Sequence, residues 1–154
     1  MLNILEADYS NRQHAADVQY LTNAYAESEM GGGHTLSQEE LDKMIAGLRG
    51  MSTAFTLLAY SDEAPVGIAN CFICFSTFEG QKLINIHDLA VIKEMRGKGI
   101  GEKLLEAVQK KARKMNCCKL TLEVRTDNRA INLYERFGFE TDDPRIWFMT
   151  KEFY

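Results

Sequence analysis

Residues 90–108, "AVIKEMRGKGIGEKLLEAV", pass from a strand-like apolar run through three alternating glycines into an amphipathic helix. No other stretch constrains the chain so tightly. Gly97, Gly99 and Gly101 together are entropically costly. Such a turn either needs backbone angles closed to other residues or brings something close to the main chain. The preceding "KLINIHDLAVI" has the length and apolar content of a strand. The helix that follows sets Leu104, Leu105, Val108, Ala112 and Met115 on one face. "CKLTLEVR" then reads as another strand. Strand–helix–strand over 83–124 favours parallel pairing with a right-handed crossover.

A helix N-terminus leaves backbone N–H groups unpaired and carries partial positive charge. Glycines let a phosphate come within hydrogen-bonding distance of those amides. Arg96, Lys98 and Lys103 add formal charge at the same place. Residues 96–101 (Arg96, Gly97, Lys98, Gly99, Ile100 and Gly101) are therefore a candidate pyrophosphate cradle. The spacing is G-x-G-x-G, so neither the dinucleotide fingerprint G-x-G-x-x-G nor the phosphate loop G-x-x-x-x-G-K-[ST] is present. A tight strand-to-helix turn with no ligand explains the glycines alone equally well.

The remaining elements follow from periodicity and punctuation. "LNILEA" at 2–7 reads as a first strand, and Ala15, Val18, Leu21 and Tyr25 recur at helical spacing. "MGGG" at 30–33 breaks that helix; Ser37 with Glu40 forms a capping box for the next, which Gly50 ends. Strands at 54–61, 66–77 and 82–92, joined by short turns, imply an antiparallel meander. After the 118–125 strand, Ile131, Tyr134 and Phe137 mark a short helix stopped by Gly138. "RIWFMTKEF" reads as a final strand. The order is β-α-α-β-β-β-α-β-α-β: an α/β chain (α+β in its segregated first half) with a mixed sheet. Ligands in such sheets sit where strands part, beside helix N-termini.

Bulk properties exclude little else. At 154 residues, with 45% apolar and 26% charged residues, one soluble domain over 1–154 is expected. Residues 10–50 would form its acceptor-side helices and 54–150 its core. No run approaches the roughly 20 apolar residues of a membrane span, and the start has no secretory pattern. A cytoplasmic protein with no membrane partner is expected. The net charge of −4 argues against a nucleic-acid partner and tilts towards cationic ligands. Cys71 and Cys74, three apart on a strand, face opposite sides. Cys117 and Cys118 are adjacent, so no metal site is expected and the cysteines read as small packed hydrophobes.

"MRGKGIGEKLL" fits the pattern [RQ]-x-x-G-x-[GA] through Arg96, Gly99 and Gly101, and resembles the GNAT superfamily of acyl-CoA-dependent N-acyltransferases. "INIHDLAVIKEM" looks like that family's fourth strand, and "TDNRAINLYERFGFE" like its second signature. The likeness is good over about 54–150 and holds by element order alone before that. It implies acetyl-CoA as cosubstrate, no metal, and a small-molecule or peptide amine as acceptor, with a homodimer compatible. It implies that residues 96–101 hold the pyrophosphate and that Leu89, Ala90 and Val91 offer backbone groups to the pantetheine arm.

Tyr134 matches the family tyrosine that protonates the departing thiolate; otherwise it is a core aromatic beside Ile131 and Phe137. Where many relatives carry Glu, this chain has His87, followed by Asp88. An imidazole is a reasonable base near pH 7. His87, then Asp88, is the candidate base, against a structural histidine. Relatives usually have Asn seven residues before the tyrosine; here Asp127 stands there and Asn128 follows, so either contacts the cofactor arm. Gly31, Gly32 and Gly33 suit a mobile lid or a loose loop. Phe75, Phe78, Glu27 and Glu29 are candidates for the acceptor side. The competing functional readings are a non-catalytic acyl-CoA-binding regulator and a nucleotide-binding module using the same turn.

Overall fold

In the computed structural model, which describes residues 1–153, the chain runs β1 (Leu2–Glu6), α1 (Arg12–Glu27), α2 (Gln38–Gly50), β2 (Ala54–Ser61), β3 (Ala64–Ser76), β4 (Gln81–Val91), α3 (Ile100–Lys114), β5 (Leu120–Leu122) and α4 (Ile131–Phe137). The five strands form one sheet in chain order. The first three pairings are antiparallel, and β4 with β5 is parallel, as a crossover through α3 requires.

Local chemistry sets the helix ends. The Asn11 side chain accepts from the N–H groups of Gln13 and His14 and starts α1. Ser37 and Glu40 close the expected capping box of α2. Gly138, left-handed at φ 104°, ends α4. The first turn of α3 differs: Gly99 precedes it and no side chain caps it.

The sheet separates two cores. On one face Phe55, Leu57, Ile84 and Ile86 pack against Leu104, Leu105 and Val108 of α3. On the other, Leu58 and Ile68 meet Val18 and Leu21 of α1, with Met44, Ile45 and Leu48 of α2 around them. Leu57 and Leu58 are neighbours in sequence yet feed opposite cores, which is why β2 is apolar without alternation. Leu104 and Leu105 are wholly buried, so truncating either to Ala costs about 2–5 kcal/mol.

Two expectations are corrected. Residues 145–153 form no strand. β5 is only three residues long and pairs with β4 alone; nothing extends a ladder to the tail, and Ile146, Trp147, Phe148 and Met149 remain exposed. The cysteines do not all pack either. Cys71 is buried, but Cys74 stands exposed towards the far end of β3.

Candidate active site

β4 and β5 part company early. Ile84, Asn85 and Ile86 pair with Leu120, Thr121 and Leu122, and there the parallel ladder stops. β4 continues to Val91 with β3 as its one neighbour. Halfway along, Asn70 pairs with Asp88 and Cys71 with Ile86, so His87 is an extra residue, a β-bulge. The bulge resets the backbone alternation. Ile84 donates its N–H to Lys119 on the β5 side at 3.2 Å, whereas Ile92 donates to Val66 on the β3 side at 3.0 Å. Counting back from Ile92, Leu89 and Val91 direct their N–H and C=O groups into the gap that β5 has left.

The Val91 carbonyl accepts from Arg96 Nε at 3.0 Å; the Leu89 groups and the Val91 N–H remain to line the gap. Ala90 departs from expectation. Its backbone groups face β3, and its side chain packs in the α1–α2 core.

The bulge also sets two consecutive side chains on the α1 face. The His87 ring lies edge-on to Phe72, centroids 5.5 Å apart. Asp88 accepts from Asn70 Nδ2 at 3.0 Å. A cavity of about 290 Å³ opens at the gap, lined by Tyr25, Met30, His87, Leu89, Asn128 and Tyr134. Arg125 and Phe148 complete its rim. A groove of about 360 Å³ beside Met1, Asn3, Tyr60 and Glu63 lies at the opposite edge of the sheet and contains none of the candidate residues.

Tyr134 reaches the cavity from α4 and is only 7% exposed. Its ring packs edge-on against Phe139 at 5.9 Å. Burial pushes its phenol up to about 12, with the nearby Tyr25 phenol adding to the shift. Tyr25 enters from α1, and burial and then Asp88 raise its phenol too. The phenolic hydroxyls of Tyr25 and Tyr134 make no hydrogen bond to another described residue. The cavity thus has a phenol from each side of the sheet, both protonated at neutral pH, with the His87 ring beside them.

Beyond Val91 the glycine turn opens on space. Gly97 and Gly99 are left-handed, at φ 75° and 78°, and a Cβ on either would meet nothing within 4 Å. Gly101 has another reason: its Cβ would lie 3.1 Å from Leu133 of α4. No side chain caps the first N–H groups of α3, which follow directly on this turn. Ile100 contributes its amide alone, because its side chain is core. Lys98 stays exposed with its ammonium 3.3 Å from the Met95 sulfur. Lys103 pairs with Glu106 at 2.8 Å along the helix.

The loop into α4 gives the residues at 127 and 128 different partners. Both Asp127 oxygens accept from Arg125, at 3.0 and 2.8 Å. Those bonds hold the Asp127 carboxyl below the usual carboxylate range. Asn128 accepts the Ala130 N–H through Oδ1 at 2.9 Å and faces the cavity.

The glycine connector after α1 is bonded rather than loose. Gly33 and His34 donate to the Ala26 carbonyl, and Arg125 donates to that of Glu29 at 3.3 Å. Glu27 is occupied by Asn23 and Thr35, while Phe75 and Phe78 are exposed and line no pocket described above. Sequence reasoning had passed over Tyr25, Met30, Arg125 and Phe148 as cavity residues. The Asn70 contact left one visible trace: a lone amide inside the apolar run "VGIANCFICF".

The model of the acetyltransferase (GNAT) family matches residues 17–139, which takes in the glycine turn, the strand gap and Tyr134. The chain belongs to that family. An uncharacterised N-acetyltransferase of Archaeoglobus fulgidus is 40% identical over 80 residues, 51% of this chain and 54% of that protein. The thialysine N-epsilon-acetyltransferase of Bos taurus is 36% identical over 74 residues, 47% of this chain and 43% of that one. The matches thus span about half the length of these curated relatives. Among solved structures, an aminoglycoside N-acetyltransferase in complex with coenzyme A superposes with a TM-score of 0.77 at 18% identity, covering 98% of this chain and 95% of that one. That likeness concerns the fold. This acetyltransferase-family chain has the mixed sheet, the gap between β4 and β5 and the open glycine turn that follows β4.

Proposed function

We propose that the protein is an acetyl-CoA-dependent N-acetyltransferase that passes the acetyl group directly to a primary amine while both substrates are bound. The observation that carries this reading is the succession of three features: the open glycine turn at 97–101 that leads into α3, the β4 edge at Leu89 and Val91 that β5 leaves unpaired, and the phenol of Tyr134 in the cavity at that gap. A long anionic thioester fits that sequence of groups. Its pyrophosphate suits the glycine amides, its amide-bearing arm suits a strand edge, and its sulfur end suits a phenol donor. When bound, acetyl-CoA supplies the activated acyl carbon.

The residues divide the remaining work. The Leu89 N–H is the donor placed to polarise the thioester carbonyl. Gly97, Gly99, Ile100 and Gly101 hold phosphate oxygens through backbone N–H groups, with Arg96 and Lys98 adding charge. Asn128, rather than Asp127, contacts the arm through its free Nδ2. The acceptor nitrogen bonds to the acyl carbon as the carbon–sulfur bond breaks. An amine with a pKa near 10.4 arrives mostly protonated, so two protons must leave it on the way to the amide. His87, which lines the cavity with Asp88 beside it in sequence, is the base for the first, and the second leaves to water or to the departing sulfur.

Tyr134 faces the departing sulfur. A phenol near 12 and a thiol of about 8.5 lie roughly 3.5 pH units apart, about 5 kcal/mol. Tyr134 therefore acts chiefly as a hydrogen-bond donor to the thiolate, and the proton crosses only as the site opens to water.

The test is mass-spectrometric detection of acetyl transfer from acetyl-CoA to a pooled panel: thialysine, spermidine, an aminoglycoside and a peptide with a free N-terminus. Tyr134→Phe runs beside the wild type. A new acetylated species that drops with the variant supports the reading. Acetyl-CoA binding with no transfer to any amine would instead favour a regulator that senses acyl-CoA. Thermal stabilisation by ATP and not by acetyl-CoA would end both.

A further inference from the structure

One part of the molecule is not explained by cofactor binding or by packing. Five polar side chains, Tyr9, Thr56, Asn70, Thr22 and Asp88, form a network through the α1-side core towards the bulge. Thr56 Oγ1 donates to Asn70 Oδ1 at 2.7 Å, and with that proton committed Tyr9 OH donates to Thr56 Oγ1 at 2.8 Å. Asn70 Nδ2 donates to Thr22 Oγ1 at 3.3 Å and to Asp88 Oδ2 at 3.0 Å. Thr56 is wholly buried and Asn70 is 4% exposed. Buried polar groups in a sheet core are costly unless satisfied. Both N–H groups of the Asn70 amide and its carbonyl oxygen are bonded, and one of those N–H groups goes to the Asp88 carboxylate.

Asp88 itself is half-buried, and no cation pairs with it among the described residues. Only Oδ2 is bonded. Asn70 of β3 bonds it, and Tyr25 of α1 lies close enough for its phenol to be raised by the Asp88 charge. Thr22 of α1 stands on the other Asn70 N–H, and the neighbour of Asp88 on β4 is the bulged His87. A half-buried carboxylate fixed on one oxygen and lacking a counter-charge is suited to a cation brought by a ligand.

Resting on the acetyl-transfer reading above, we propose that Asn70 is the positioning residue of the acceptor side: it holds Asp88 so that the free carboxylate oxygen, beside Tyr25, receives an ammonium group of a cationic acceptor. The acceptor class is then a positively charged amine rather than a neutral one. Asn70 touches no substrate; it acts through Asp88, and Thr56 and Tyr9 hold it in turn.

Nuclear magnetic resonance tests this without turnover. Methylammonium chloride is titrated into the protein, with potassium chloride as the ionic-strength control, and the backbone signals of Asp88 and Thr22 are followed. Acetyl-CoA is added separately while Gly99 and Gly101 are followed. Saturable methylammonium shifts at Asp88 and Thr22 are expected in the wild type and in Thr56→Ser, which keeps the hydroxyl.

Those shifts should be lost in Asn70→Leu and weakened at least threefold in affinity in Thr56→Val, with the acetyl-CoA response intact in all four. That intact response also shows each variant folded; if Asn70→Leu fails it, Thr56→Val against Thr56→Ser decides. Equal methylammonium affinity in Thr56→Val and wild type, or no saturable shift in a wild type that responds to acetyl-CoA, overturns the inference alone. A wild type that does not respond to acetyl-CoA overturns the acetyl-transfer reading and this inference with it.

Discussion

The two sides of the groove are made of different material. On the α3 side the groups offered are main chain: amides at 97–101 and the Leu89 and Val91 edge of β4. On the α1 side they are side chains: Tyr25 and His87 line the cavity, and Asp88 stands next to His87 with Asn70 bonded to it. Main-chain donors cannot be exchanged one for another by substitution, and they require glycines and a broken ladder. Side chains can be exchanged one for another, so on the proposed acetyl-transfer reading that side is the one that would choose the acceptor. One half suits a constant ligand and the other a variable one.

Substitutions break this comparison in graded steps. Gly99→Asp should do the most. A side chain at φ 78° is strained, and its charge would stand where phosphate sits. Losing two charge-assisted amide contacts should cost about 4 kcal/mol, close to a thousandfold in acetyl-CoA affinity by calorimetry, while methylammonium binding on the other side persists.

Tyr134→Phe should lower kcat about a hundredfold with acetyl-CoA affinity unchanged. It should leave stability at neutral pH nearly untouched, because the hydroxyl has no protein partner to lose. At high pH the same variant reads out burial. Tyr134 is raised from 10.0 to about 12, so between those values the unfolded chain releases its proton first. The stabilisation is complete below pH 10 and is lost as pH rises through 12. Wild type should therefore lose roughly 2–3 kcal/mol more than Tyr134→Phe across that window in denaturant titrations.

Asn128→Ala sharpens the account further, with about a tenfold loss of acetyl-CoA affinity for one hydrogen bond. Asp127→Ala should change it by less than about threefold, as an exposed ion pair contributes little. The opposite order would place the arm contact on Asp127.

What could be read from the sequence follows the same division. The glycines, the strand before them and the tyrosine helix are local patterns, and each came out in place. Gly97 and Gly99 are dictated by backbone angles, which are local, whereas Gly101 answers to Leu133 of α4. The bulge at His87 is not local. It exists because β3 and β4 disagree by one residue, and it decides that Leu89 and Val91 face the gap while Ala90 does not. Asn70 is likewise meaningful only once Thr56, Thr22 and Asp88 are brought around it.

The tail misled for the opposite reason. Ile146–Met149 has the composition of a buried strand, but a strand needs a free ladder beside it. β5 ends at Leu122, and Arg125 turns the chain towards Glu29 and Asp127. Among the described residues of the tail, Phe148 is the apolar side chain that touches the cavity.

The most direct measurement is a crystal structure of the protein soaked with acetyl-CoA. The account predicts pyrophosphate oxygens on the amides of 97–101, the arm bonded to Leu89 and Val91 between β4 and β5, and the sulfur against the Tyr134 hydroxyl. Density for acetyl-CoA outside that gap, or with its thioester on the β1 side of the sheet, would contradict it.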